Sequence, residues 1–210
     1  MSNNVPEVIV PRQGSTPAVR TPFGYITEDH SRLDKFQNGI SGVCAAIASV
    51  AIVAIAALTA LEVFTRTAFG SPLGWNVGFV EQYLMMAVAF FGTVTAYRAG
   101  AHVAVVTIFE KMPPVVRKLL LVSTYLIVLA GLVLLTYSGT RAAHFSFVTA
   151  EMPPPGMAEL PWPTWWWKTI IPTASVLGLV VVAIDLYREI TAPLTSVVTD
   201  YEPGNFQEEG

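Results

Sequence analysis

Four long stretches without a single charged side chain constrain this sequence more than any other feature: Phe36–Leu61, Gln82–Tyr97, Leu119–Thr140 and Thr169–Ile184. A helix needs about 20 apolar residues to cross about 30 Å of hydrocarbon. The first and third stretches reach that length unaided. The second reaches it once Phe79, Val80 and Ala99 are counted. The fourth follows Trp162, Trp165, Trp166 and Trp167, and indole suits the headgroup layer because its body is apolar and one edge is polar. With 53% hydrophobic and 13% charged residues, the chain has too few charges to cover a soluble globule of its size. The expected fold class is therefore all-α: a polytopic membrane protein with four transmembrane helices plus short interfacial helices, surrounded by membrane lipids.

The twelve Lys and Arg, set against a net charge of −3, form no basic stripe, which excludes nucleic acid as a partner. Cys44 is the one cysteine. It can build neither a disulfide nor a thiolate cluster within one chain, and its expected role is packing. Residues 1–35 mix both charge signs and carry Pro6, Pro11, Pro17 and Pro22. They read as a flexible arm without a signal peptide, with a short helix starting at Thr27-Glu28-Asp29. Residues 36–190 form the membrane domain, and 191–210 an acidic tail with Asp200, Glu202, Glu208 and Glu209. Four spans put both termini on one side. That side holds Arg12, Arg20, Arg32, Lys35, Arg98, Lys111, Arg117, Lys118 and Arg188, against Arg66, Arg141 and Lys168 on the other. Cationic loops stay in the cytoplasm, so both termini are expected there.

The segment Thr67–Val80, interrupted by Gly70, Pro72, Gly74 and Gly78, is expected to be irregular and to lie at the outer interface. Ala101–Phe109 is expected to lie as a helix on the inner surface. Glu62, Arg66, Glu81, Arg98, Arg141 and Asp185 sit at span ends, leaving no ionisable group at mid-depth to serve as a transport site. His102 and His144 fall on opposite sides of the membrane and cannot ligate one haem iron. Met85 and Met86 read as packing. No catalytic constellation, cofactor or metal site is expected. Span one carries Gly42, Ala45, Ala46, Ser49, Ala56 and Ala60, small residues that allow close approach of another helix, either its own companions or a partner subunit.

Arg66 after span one, Ser71-Pro72-Leu73-x-Trp75, Tyr83-Leu84, Phe91-Gly92 and Arg98-x-Gly100-x-His102-Val103-x-Val105 occur in this order. Pro163-x-Trp165-x-x-Lys168-x-x-Ile171-Pro172 follows before the last span. Over residues 36–190 the chain resembles the small membrane subunit of tripartite ATP-independent periplasmic (TRAP) transporters. It departs from that pattern at Val106, where relatives carry an acid. The resemblance implies an accessory, non-enzymatic subunit. Its partners would be a large sodium-driven membrane subunit and a periplasmic binding protein for organic anions, often carboxylates. Glu62, Arg66, Trp75, Glu81, Arg98, His102, Trp165 and Lys168 are then structural or interface candidates. The outer segments Gly70–Gly78 and Glu151–Trp167, the latter stiffened by its prolines, would form a platform for the binding protein. Two other classes compete: a haem- or quinone-associated anchor of a redox enzyme, and a stand-alone channel or carrier.

Overall fold

The computed structural model describes residues 8–9, 18–26, 30–99, 113–153 and 160–191. Among them, four helices are long and apolar enough to cross a membrane: α1 (Ser31–Phe69), α2 (Asn76–Arg98), α3 (Pro114–Val148) and α4 (Trp165–Thr191). The all-α polytopic class holds. Each helix contains one of the uncharged runs and overshoots it, because a charged residue does not end a helix; a backbone break does. α1 continues past Leu61 until Gly70 adopts a left-handed conformation (φ 68), the usual geometry of the residue just beyond a helix. Gly74 (φ 79) turns the chain again, and α2 starts at Asn76. The segment expected to be irregular from Thr67 to Val80 is thus irregular only over residues 70–75, with Gly78 held inside α2. One turn of α2, Val80–Leu84, is π-helical and takes up an extra residue.

Three short strands precede α1: β1 (Val8–Ile9), β2 (Ala18–Thr21) and β3 (Gly24–Ile26), antiparallel in the order β1-β2-β3. Pro22 and Phe23 make the turn of the β2–β3 hairpin, whose closing pair is Thr21 and Gly24. The sequence reading expects only an arm in this region. Its expected helix start at Thr27-Glu28-Asp29 and its surface helix at Ala101–Phe109 lie outside the described residues.

The chain divides into two compact units. The first takes residues 31–42 of α1, 95–98 of α2, 114–130 of α3 and 180–191 of α4, together with the strands. The second takes the rest of the four helices and the connections after α1 and α3. Every helix buries one narrow stripe whose members recur at three- and four-residue steps. On α1 it reads Asp34, Gln37, Asn38, Ser41, Cys44, Ala48, Ala51; on α2, Ala87, Phe91, Val94, Arg98. On α4 it reads Ala174, Ser175, Val181, Val182, Asp185, Arg188, Glu189. Small and polar side chains face inward, while large apolar ones such as Val50, Ile127 and Leu134 point out. That is the reverse of a soluble core. It follows from a solvent as apolar as leucine, in which helices associate through close packing and hydrogen bonds.

In the second unit, a Cβ built on Gly178 would stand 3.5 Å from both Leu132 and Val94, so α4 meets α3 and α2 there in ordinary contact. At Gly139 the approach is closer: a Cβ would lie 2.8 Å from Pro172 Cδ.

Candidate functional site

The first unit holds a buried charge cluster. Asp34 Oδ1 accepts from Arg98 Nη2 and from Arg188 Nη1, each at 2.8 Å. Arg98 Nε donates to Asn38 Oδ1 at 2.9 Å. Asp185 sits beside them, its Oδ1 accepting from Gln37 Nε2 (2.8 Å) and its Oδ2 from Tyr97 Oη (3.1 Å). Its Oδ1 also lies 3.7 Å from Arg188 Nη1 and 4.0 Å from Arg98 Nη1. Gln37 Nε2 also donates to the Val181 carbonyl at 2.9 Å. Asp34 and the Arg98 side chain have no exposed surface. Two carboxylates and two guanidinium groups cancel in charge, and three helices are joined through their side chains.

The β2–β3 hairpin covers this cluster. Asn38 Nδ2 donates to Thr21 Oγ1 at 3.4 Å, and Thr21 Oγ1 donates to the Gly24 carbonyl at 2.9 Å. Gly24 has φ 139, and a Cβ there would strike Asn38 Oδ1 and stand 2.8 Å from Arg98 Cγ. Only glycine fits that backbone and that space. A Cβ built on Gly42 would stand 3.8 Å from the Phe23 ring, so the ring lies over that glycine. Chemically the cluster is a clasp. Guanidinium groups do not release protons, and each aspartate accepts from two donors on other residues.

The second unit pins the two connections between its helices. Glu62 Oε1 accepts from Arg66 Nη2 at 3.2 Å, and its Oε2 accepts from the Leu73 backbone N–H at 2.9 Å, fixing the turn after α1. α3 ends with Ala150 in the left-handed region (φ 47). Glu151 N–H returns to the Ser146 carbonyl at 3.0 Å and Ala150 N–H to that of Phe147, a Schellman closure. This turn brings Glu151 Oε2 onto Ser146 Oγ, which donates to it, and onto Lys168 Nζ of α4 at 2.7 Å. Thr164 donates to the Glu151 carbonyl through both its N–H and its hydroxyl. The loop from α3 to α4 is therefore closed at its base.

Ring contacts, edge-to-face except for the tilted Trp162–Trp166 pair, run beside it. Trp75 meets Phe79 (6.1 Å), Phe79 and Tyr83 each meet Trp162 (5.8 Å), Trp162 meets Trp166 (5.5 Å), and Trp165 meets Phe147 (5.6 Å). Such contacts prefer this geometry because ring edges are positive and ring faces negative.

The hydrogen bonds from Lys168 and Ser146 lower the Glu151 pKa from 4.5 to about 2. A carboxyl held low adds stability that is complete above pH 4.5 and is lost as pH falls toward 2. Because the Glu151 side chain is 42% exposed, the contribution is screened and amounts to under about 1 kcal/mol. Tryptophan emission titrated from pH 6 to pH 2 should therefore shift with a midpoint well below 4.5, and Glu151→Gln should abolish the shift while leaving the fold intact.

Of the sequence-predicted candidates, Arg98 lies in the clasp, Glu62 and Arg66 pair with each other, Lys168 holds Glu151, and Trp75 and Trp165 belong to the ring contacts. Glu81 is exposed on α2. His102 lies outside the described residues, and His144 is exposed on α3. Cys44 is fully buried and free. The sequence reading missed Asp34, Gln37, Asn38, Arg188, Ser146 and Glu151. On α1, Ala46, Ser49, Ala56 and Ala60 are exposed, so those small residues are not used against the chain's own helices. Among the described residues no group of three or more His, Cys, Asp and Glu is placed to hold a metal ion.

No curated protein sequence matches the chain. The family model described as "Tripartite ATP-independent periplasmic transporters, DctQ component" matches residues 39–192, which takes in all of α2, α3 and α4 and most of α1. With four spanning helices and a match over most of its length, this chain belongs to the DctQ component family of TRAP transporters.

Proposed function

We propose that this multi-pass membrane subunit is the static member of a sodium-driven importer of organic anions, with carboxylates as the substrate class, in a bacterial inner membrane. It holds the large transport subunit in place and helps dock a periplasmic binding protein. The observation that carries this reading is the placement of charge. The charged side chains of the four helices stand near helix ends, many of them engaged with one another, and the uncharged runs between them offer no ion or proton a foothold. The positive-inside bias puts the arm and the tail in the cytoplasm. It supports a periplasmic position for the Glu62-fixed turn and for the Glu151–Thr164 closure, whose held backbone lowers the ordering cost of an encounter.

Proteoliposomes test the reading. Uptake of a labelled organic anion under an inward sodium gradient should require this chain, the large subunit and the binding protein together, and this chain alone should give none. Flux by the isolated chain would make it a carrier. Full uptake by the other two components without it would remove its role.

A further inference from the structure

Among the described acidic residues, Asp34, Glu62, Glu151 and Asp185 are hydrogen-bonded or ion-paired, and Glu189 has an interaction of its own. Glu81 alone has none. It is exposed in the π turn of α2, near the start of that helix rather than in a loop. The exposed positions of α2 are Val77, Glu81, Met85, Ala89 and Thr93, a strict four-residue series. Four residues turn an α-helix through more than one revolution, so such a series would drift around the helix. The extra residue in the π turn offsets that drift and keeps the five positions on one face.

Val77 and Met85 on this face are large and apolar, but its last two positions are small. Ala89 is small, and Thr93 turns its hydroxyl back onto the Ala89 carbonyl at 2.6 Å, presenting its methyl group. α3 exposes Val133, Leu134 and Tyr137 instead. The small side chains at Ala89 and Thr93 let a second helix approach closely there, and the Glu81 carboxylate further along the same face calls for a cation from the approaching surface.

We propose that this face of α2 is the seat of a transmembrane helix of the large subunit, with a lysine or arginine of that helix paired to Glu81. The inference rests on the functional reading above and names the contact through which the subunit is held.

The test uses the complete complex, with the large subunit carrying its own tag. A photo-crosslinking amino acid at Met85 should yield an adduct with the large subunit, and the same group at Leu134 should not. Glu81→Lys should lower recovery of the large subunit on the small one by about tenfold or more, since opposed like charges at a closed contact cost several kcal/mol. Ala89→Leu should lower it through bulk. The amount of small subunit in the membrane and its melting temperature should stay unchanged, because neither side chain touches the chain's own core. If the unsubstituted chain recovers the large subunit and both variants do so equally well, the α2 seat is overturned while the accessory role stands. If the unsubstituted chain recovers none, both fall.

Discussion

Replacing Asp34 with asparagine is expected to destabilise the chain by about 3–5 kcal/mol, the scale found when one member of a buried ion pair is removed. The amide keeps the shape of the carboxylate. It removes the negative charge that Arg98 and Arg188 share at 2.8 Å, and both guanidinium groups stay buried and charged because they cannot shed a proton. Asp185 cannot compensate, being 3.7–4.0 Å from them and engaged by Gln37 and Tyr97. Thermal or denaturant unfolding in detergent measures the loss. Glu62→Gln is the control. Its partner Arg66 is 70% exposed, so that pair contributes at most about 1 kcal/mol. Combining Asp34→Asn with Arg188→Met should recover part of the loss, since removing charges in pairs spares the interior an uncompensated ion. A loss no larger than the Glu62→Gln control would mean that the clasp is not what joins α1, α2 and α4.

The helices were legible because lipid imposes a length and a composition on any segment that crosses it. The clasp was less so. Asp34 and Lys35 read as the charged end of an arm, since the first uncharged residue is Phe36. In the structure the helix begins at Ser31, and Asp34 then shares a face with Gln37, Asn38 and Ser41. The steps of three and four between these residues were a usable signal. A polar stripe at helical spacing just ahead of an apolar run predicts polar contacts inside a membrane protein as well as an apolar stripe predicts a soluble core. Asp185 and Arg188 repeat it on α4.

The β2–β3 hairpin had a weaker mark. Pro22 and Gly24 are ordinary turn residues, and nothing nearby shows that Gly24 must fit against Asn38 and Arg98. The Glu151–Lys168 contact joins residues 17 apart through a left-handed Ala150, a conformation that alanine rarely adopts. Sequence spacing alone could not locate it.

The two glycines of α3 in the second unit, Gly131 and Gly139, look alike in sequence and should behave oppositely. Nothing stands within 4 Å of a Cβ placed on Gly131. Gly131→Ala should be neutral, or stabilising by about 0.4–1 kcal/mol through the lost freedom of the unfolded chain. At Gly139 the added carbon would meet Pro172 Cδ at 2.8 Å, Pro172 N at 3.3 Å and Ile171 Cγ2 at 3.4 Å. A proline ring on a helix backbone cannot swing aside as a flexible side-chain tip can. Either α4 moves or α3 does, and Gly139→Val is expected to cost about 1–3 kcal/mol as overpacking. Melting temperatures of the two variants in one detergent decide it. Equal shifts would mean that α3 and α4 do not touch at Gly139. The contrast also bears on function: a rigid subunit needs α3 fixed, and because α3 turns most of its large side chains outward, a line through Leu132, Gly139, Ala143 and Ser146 is where the second unit holds it.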